Sequence, residues 1–587
     1  MAVTLGKWVI AIDGSGLPDR ELIGGKAWSI ARMRGLGLNV PAAVVVTTEA
    51  CASYLESGEM PAGLGRELEL GVDWLEHQSA RTFGHGTSPL LVSVRSGAAV
   101  SMPGMMDTVL NLGINEETES ALAAESGSPE FARDTHRRFL ELYANIVFRA
   151  TFPALAPADS AAGWHAVISA ACGRDVPAVA TEQLHDAIVA VFDSCNSRRA
   201  RRYRKHHKLP DKLGTAVTIQ AMAFGNLDAQ SGTGVVFSRN PLTGARAPYG
   251  EYLHGAQGED VVSGKYTPEP LTALKASLPN VYDELLAAAG TLERDSAEVQ
   301  DIEFTVQQGK LFLLQSRAAK RAPRAAVRFA VDLVADGLVD EKTALGRISP
   351  EQVRTLLLPR LADGAADAAE ILARGEPACQ GVGVGIVVTS SDEAERRAEA
   401  GEAVVLARSS TSPEDVHGMI GSMAVITDHG GGTSHAATVS RDLGVPSVVG
   451  CGDGVASELV GRTVTVDGTA GKVYADELAV VTPNESDDPD LSKLTVWARE
   501  LSAVTVLPKD RGLPPGTLDL NTLEGGEDPA QLPGLIADAK CVTGGATGSD
   551  AGVAAALSAG VECIVSEHIL PTLLCAIRRR GEEATDR

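Results

Sequence analysis

An α/β chain of several domains is what this sequence predicts, and three observations carry that expectation. Its 587 residues exceed what one hydrophobic core organises, so three or four domains are expected. A glycine-rich turn at 428–434 runs straight into a helix-forming segment and lies among short apolar strand segments. A further stretch, 301–317, alternates apolar and polar residues on either side of a Gln-Gln-Gly turn, the pattern of a β hairpin.

Composition narrows the class. With 44% hydrophobic and 22% charged residues this is an ordinary globular composition. A net charge of −24 argues against general nucleic-acid binding, because phosphates would be repelled. Any nucleotide site must therefore gather its own positive patch. The 8 cysteines form no C-x-x-C pair and no zinc spacing, which suits free thiols in a reducing cytosol. There is no basic-then-apolar leader and no uncharged apolar run of about 18 residues, so a cytoplasmic protein without a membrane partner is expected.

In chain order, Gly24 and Gly25 lead into a helix over 27–34 and set Lys26 where a phosphate would meet its N-terminus. A turn with a surface lysine is the plainer reading. A strand follows at 43–46, then a helix starting at Thr47-Thr48-Glu49. A strand at 89–94 delivers Arg95, whose planar fork of donors suits bidentate contact to phosphate, although loop carbonyls would serve it equally. Residues 116–190 read as helical, with apolar positions at 131, 139, 140, 143, 147 and 148. The basic run Arg198, Arg199, Arg201, Arg202, Arg204, Lys205 and Lys208 is expected to be a solvated helix face. Gly232-Thr233-Gly234 reads as a flexible loop before a strand, suited to a lid over phosphates. Glu251, ahead of Glu259, is expected as a Mg²⁺ or ribose contact, with ordinary loop charges as the alternative.

The hairpin carries a geometric condition. Asp301 and Glu303 share one face of its first strand, as Gln315 and Arg317 share one face of the second. The two sets meet only if 307–309 forms a three-residue loop, with Gly309 left-handed, pairing Val306 with Lys310. A two-residue turn would send them to opposite faces. Once together, their oxygens suit Mg²⁺, while Arg317 reaches a phosphate.

Residues 325–372 are Ala-rich and read as a helical connecting arm. A compact domain follows, with strands expected at 381–388, 403–407, 424–427, 447–449 and 463–466. Within it, Thr433 or Ser434 caps a helix over 435–443 that Gly444 ends. His435 then lies in the first helical turn, where free N–H groups and the positive dipole end favour an anion. A neutral imidazole there can attack phosphorus. Taken alone, the stretch reads as well as a satisfied histidine beside a turn.

The rest of the chain decides between those readings. Gly-Gly-Gly-Thr-Ser-His-Ala-Ala at 430–437 resembles the phosphohistidine loop of the pyruvate, phosphate dikinase family, departing from it at Gly432. His429 is a second departure, since the family usually has an arginine there. The Gly-Gly-Lys block, the run from Leu91 through Ser101-Met-Pro-Gly104-Met-Met-Asp107-Thr108 to Gly113, and the segments 249–252 and 257–262 are similar to the same family, from about residue 6 to 479. The 91–113 run resembles the dikinase more than phosphoenolpyruvate synthase.

The resemblance implies an ATP-grasp nucleotide-binding domain over 1–345 with a helical insert at about 115–200, a helical linker at 346–375, and a swivelling phosphohistidine β/α domain at 376–480. It implies His435 as the catalytic nucleophile. Lys26, Arg95, Gly232, Thr233, Gly234, Glu251 and Arg317 would bind ATP, and Asp301, Glu303 and Gln315 would hold Mg²⁺. ATP and inorganic phosphate would then give phosphorylated His435, AMP and pyrophosphate. After an acidic linker at 484–490, residues 490–587 read as a small α/β unit with strands at 504–507, 517–520, 540–543 and 562–566, a helix at 551–559, and Gly544-Gly545 as a turn. A (β/α)₈ barrel like the family's needs roughly 250 residues, so transfer to pyruvate or another acceptor is expected to need a phospho-acceptor protein or a separate pyruvate-binding chain. No nucleic-acid partner is expected, and a homodimer is the expected assembly. The alternative is a non-catalytic nucleotide-binding or regulatory protein.

Overall fold

A computed structural model describes residues 3–97, 107–206, 214–262, 266–357, 360–362, 364–481, 483–537 and 539–585. Ser101, Gly104 and Lys208 lie outside these residues. The N-terminal half is built on two antiparallel sheets with one helix, α1 (Arg20–Gly35), between them. The first sheet runs Val3–Thr4, Val9–Ile12, Ala43–Val46, Ala216–Ala221, β1 (Val92–Gly97), Thr108–Leu112. The second contains β2 (Gly232–Phe237), β3 (Tyr249–His254), β4 (Gln300–Gln307) and β5 (Lys310–Ala318), in the spatial order Glu269–Pro270, β3, β2, β4, β5. Ile23, Ala27, Ile30 and Met33 of α1 pack in one core with Ile10, Ile12 and Val45 of the first sheet and Val236, Ile302 and Phe304 of the second. This shared core sets the distance between the sheets.

The helix starts earlier than expected, capped by Asp19, and breaks at Gly24. There φ is 73°, and a Cβ would lie 1.8 Å from the Gly97 carbonyl oxygen, so only glycine fits. Lys26 follows the break, as the sequence predicts. One other expectation fails and another holds only in part. Gly232, Thr233 and Gly234 are not a lid, because they lie inside β2 and pair with β3 on one side and β4 on the other. Their small size answers to packing: a Cβ at Gly232 would meet the Tyr252 hydroxyl at 2.1 Å, and one at Gly234 the Phe304 ring at 2.6 Å. The basic helix Arg198–His206 is a solvated face only in part, with Arg198, Arg201 and Lys205 exposed. Ala200 is buried with Val388 and Val404 of the later sheet and Ala394 of the helix Ser391–Glu399, and Arg204 is buried and donates to the Cys195 carbonyl. Arg199 pairs with Asp107, and Arg202 lies 3.6 Å from Glu395. Acidic neighbours on both sides thus meet two of the run's arginines.

The connecting arm is helical only as far as Leu357, in Pro323–Ala335, Glu341–Gly346 and Pro350–Leu357. Its end, Ile371–Arg374, is instead a strand of the next sheet. These helices share a core with the tail, where Val327, Leu345 and Val353 meet Leu494, Trp497 and Leu573. The 484–490 linker is pinned as well, through Asp488 and Asp490 to Arg324 and Arg328. The two connections to the next domain run side by side, Arg360–Leu361 pairing antiparallel with Val480–Val481.

That next domain holds an eight-stranded sheet, with β6 (Glu376–Cys379) at one edge and Val382–Val388, Val404–Arg408, Ala424–Thr427 and Ser447–Val449 as a parallel centre. Helix α2 (His435–Leu443) follows Ala424–Thr427 and ends at left-handed Gly444. The tail is a four-stranded parallel sheet, ordered Thr505–Pro508, Cys563–Ser566, Cys541–Thr543, Leu518–Asp519. The N–H groups of Gly545 and Ala546 already donate to Asn521 and Gly526, as a plain turn requires. Among the described residues, no helix is long and apolar enough to cross a membrane.

Candidate active site

A cavity of about 930 Å³ lies between the two N-terminal sheets and α2. Its walls include Lys26, Arg95, Thr233, Gly234, Glu303, Gln315, Arg317 and His435. Gly232, Glu251 and Asp301 are not among its described lining residues.

The hairpin brings its polar residues together by a route other than the one expected. Gln308 and Gly309 both have positive φ (52° and 73°) and form a two-residue turn that pairs Gln307 with Lys310. Such a turn alone would separate the two polar sets. A register shift corrects it: Phe304 opposes Leu313, Glu303 opposes Gln315, and Leu314 is the extra residue of a bulge. Asp301 consequently faces Arg317. The extra residue sits five positions beyond the turn, where alternation gives no warning of it.

Arg95 donates to Glu303 at 2.9 Å and to the Gln315 side-chain oxygen at 3.4 Å, while Arg317 donates to Asp301 at 2.7 Å. Burial opposes ionisation of Glu303, but Arg95, Arg317 and Lys26 together hold its carboxyl below the usual range. Asp301 raises the Arg317 pKa in turn. Lys26 is pushed well below its ordinary pKa, first by burial and then by the Arg95 and Arg317 charges. An anion entering this wall would relieve that repulsion, which is how a chain of net charge −24 makes a local anion site. The adjacent oxygens of Glu303 and Gln315 fit a hard cation. Asp301 keeps one buried oxygen without a hydrogen-bond partner, but behind the cavity wall.

On the facing wall, Ser434 caps α2 and accepts from the Ala437 N–H at 3.4 Å. His435 therefore starts the helix. Its Nδ1 lies 3.2 Å from the Thr411 hydroxyl, and its Nε2 is buried with no hydrogen-bond partner. Burial lowers its pKa to about 4, so the ring is neutral at pH 7. Thr411 was not singled out by the sequence reading. The signal available was Ser412-Pro-Glu-Asp415 just after it, a reciprocal cap that fixes that turn. His429 does not line the cavity; its Nε2 lies 3.3 Å from exposed Asp453. Glu251 accepts from the Thr433 hydroxyl beneath the loop.

Comparison with known proteins agrees with this geometry. Residues 64–287 match the pyruvate phosphate dikinase AMP/ATP-binding domain, and residues 400–471 match the mobile domain of PEP-utilising enzymes. The chain is 41% identical over 524 residues to pyruvate, phosphate dikinase 1 (chloroplastic) of Zea mays, and 38% identical over 538 residues to pyruvate, phosphate dikinase of Clostridium symbiosum. Across these segments the chain is similar to pyruvate, phosphate dikinases. The alignments cover 83% and 86% of this chain but only 55% and 61% of those relatives. The matched segments include Arg95, Thr233 and Gly234 on one wall of the cavity and α2 with His435 on the other.

Proposed function

We propose that the chain is a dikinase-type phosphotransferase that phosphorylates His435 from ATP and inorganic phosphate, releasing AMP and pyrophosphate. One observation carries this reading: the neutral, unpartnered Nε2 of His435 closes a cavity whose opposite wall holds Lys26, Arg95 and Arg317. Lys26, Arg95 and Arg317 hold the phosphates, and the mainly apolar space between the sheets takes the base. Glu303 and Gln315 would hold Mg²⁺, which when bound offsets charge on the phosphates. The Nε2 lone pair attacks the β phosphorus of ATP, and the P–O bond to AMP breaks with its electron pair. Inorganic phosphate then takes the γ phosphoryl group as pyrophosphate, leaving one phosphoryl group on Nε2. Thr411, held at Nδ1, keeps the ring's orientation through both steps.

His435 Nε2 is buried against the nucleotide-binding half, so reaching an acceptor elsewhere calls for its domain to swing out, and the paired connections at 360–361 and 480–481 are suited to act as the hinge. The acceptor, pyruvate or a phospho-acceptor protein, would be met outside this cavity. The 8 free cysteines suit a reducing compartment such as the cytoplasm. The deciding experiment is incubation with Mg²⁺ and ATP labelled at the β position, followed by assay for acid-labile label on the protein. Label is expected; nucleotide binding without label would favour a regulatory role instead.

A further inference from the structure

The loop that carries His435 crosses strand β3 at two glycines. A Cβ on Gly431 would lie 2.3 Å from a Glu251 carboxylate oxygen. One on Gly432 would lie 2.1 Å from the Tyr249 hydroxyl and 2.7 Å from a Glu376 oxygen. Thr433, next in line, donates its hydroxyl to Glu251. Tyr249, two residues from Glu251 on β3, donates to Glu376 of β6. Glu251 is 6% exposed, and what covers it is the other domain's loop. The loop thus lies directly on the two side chains.

We propose that Glu251 is a positioning residue that seats the His435 loop against the nucleotide-binding half, and that it takes up a proton as the loop docks. The groups facing it, among the described residues, are Tyr249 from its own strand, Glu376 from β6, Thr433 and the Gly432 N–H from the loop, and Arg441 from α2. Arg441 is buried and donates to the Ala378 carbonyl rather than to Glu251. Two carboxylates therefore meet in a buried seam without a bonded cation. Burial pushes the Glu251 carboxyl up to about 7, with the Glu376 charge adding to the rise and the Thr433 hydrogen bond opposing it. Undocked, the carboxyl would face water and titrate near 4.5. The contribution to docking is thus complete below that value and is lost as pH rises through about 7. Glu251 acts on His435 through Thr433, two residues away, and not on the nucleotide.

The proposal rests on the docking that phosphotransfer requires, but its readout needs no phosphorylation. Energy transfer between a dye on the nucleotide-binding half and one on the 376–475 domain reports the docked fraction. The Glu251 carboxyl's contribution to the docking equilibrium should fall about tenfold per pH unit over part of the range between 4.5 and 7. Glu251→Gln, nearly isosteric and always neutral, should lose that dependence and stay docked. His435 contributes the opposite slope below 6.5, so the difference between native and Gln chains isolates the carboxyl. Glu251→Ala should reduce docking at low pH, with the deficit shrinking as pH rises through about 7, while leaving affinity for ATP with Mg²⁺ unchanged. An unaltered pH slope in the Gln variant would overturn the proton linkage. Weakened ATP affinity with normal docking in the Ala variant would make Glu251 a nucleotide contact instead. Docking as described, but no label on His435, would count against the phosphotransfer reading alone.

Discussion

At the scale of single residues the site depends on one unprotonated nitrogen. Burial holds the His435 ring neutral down to about pH 4, whereas an exposed histidine would be half charged at 6.5. A histidine with a depressed pKa keeps its lone pair as pH falls from 7 to about 5, so the rate of labelling should not drop over that range. Quenched-flow labelling across pH would check this, and a loss centred near 6.5 would contradict it. His435→Ala should abolish label while nucleotide affinity persists, because the phosphate-binding cations sit on a different sheet and helix. Glu303→Ala or Gln315→Ala should reduce Mg²⁺-dependent labelling more than about tenfold by removing an oxygen donor to a hard cation. Titration with Mg²⁺ should show the midpoint displaced upward. Most of these residues were legible in the sequence, since Lys26, Arg95 and His435 each sit in a local pattern that states its geometry and Glu303, Gln315 and Arg317 sit in a recognisable hairpin, though not the turn and bulge that bring its two polar sets together. Glu251 was legible as a carboxylate but not by role, because its partner Thr433 is 182 residues away.

At the scale of elements, local pattern predicted where strands and helices run better than how they register. The five strands expected around His435 and the four of the tail are all present. The hairpin reached the expected facing through a turn and a bulge, because parity alone decides which residues share a face, and an extra residue anywhere restores it. The Gly232–Gly234 stretch misled because glycine permits a loop but is equally demanded where rings press on a strand. At Gly24 the demand is sharper still. Gly24→Ala places a Cβ against the Gly97 carbonyl at a positive φ, so a loss of roughly 2 kcal/mol or more is expected. Thermal unfolding should show it as a lowered midpoint. Nucleotide affinity should fall as well, because the break sets the direction of Lys26.

At the scale of the whole molecule, sequence predicted the parts but not how they are fastened. The arm and the tail share a core, and Arg324 and Arg328 clamp 488–490, so neither is a loose tether. Freedom is left to the short antiparallel crossing at 360–361 and 480–481. In the docked arrangement Lys320, after β5, pairs with Asp442 of α2 across the two bodies. Carbodiimide coupling can turn that ion pair into an amide without adding length. A chain so coupled should still accept label from ATP, because His435 already faces the phosphate-binding wall. It should fail to pass the label on, because any acceptor lies outside the cavity. Asp442→Asn removes the carboxyl to be activated, so that variant, treated identically, should keep both steps. Retained transfer in the coupled chain, with the Lys320–Asp442 link verified by mass spectrometry of the digest, would mean that phosphorylated His435 is reached without the domain leaving its seat.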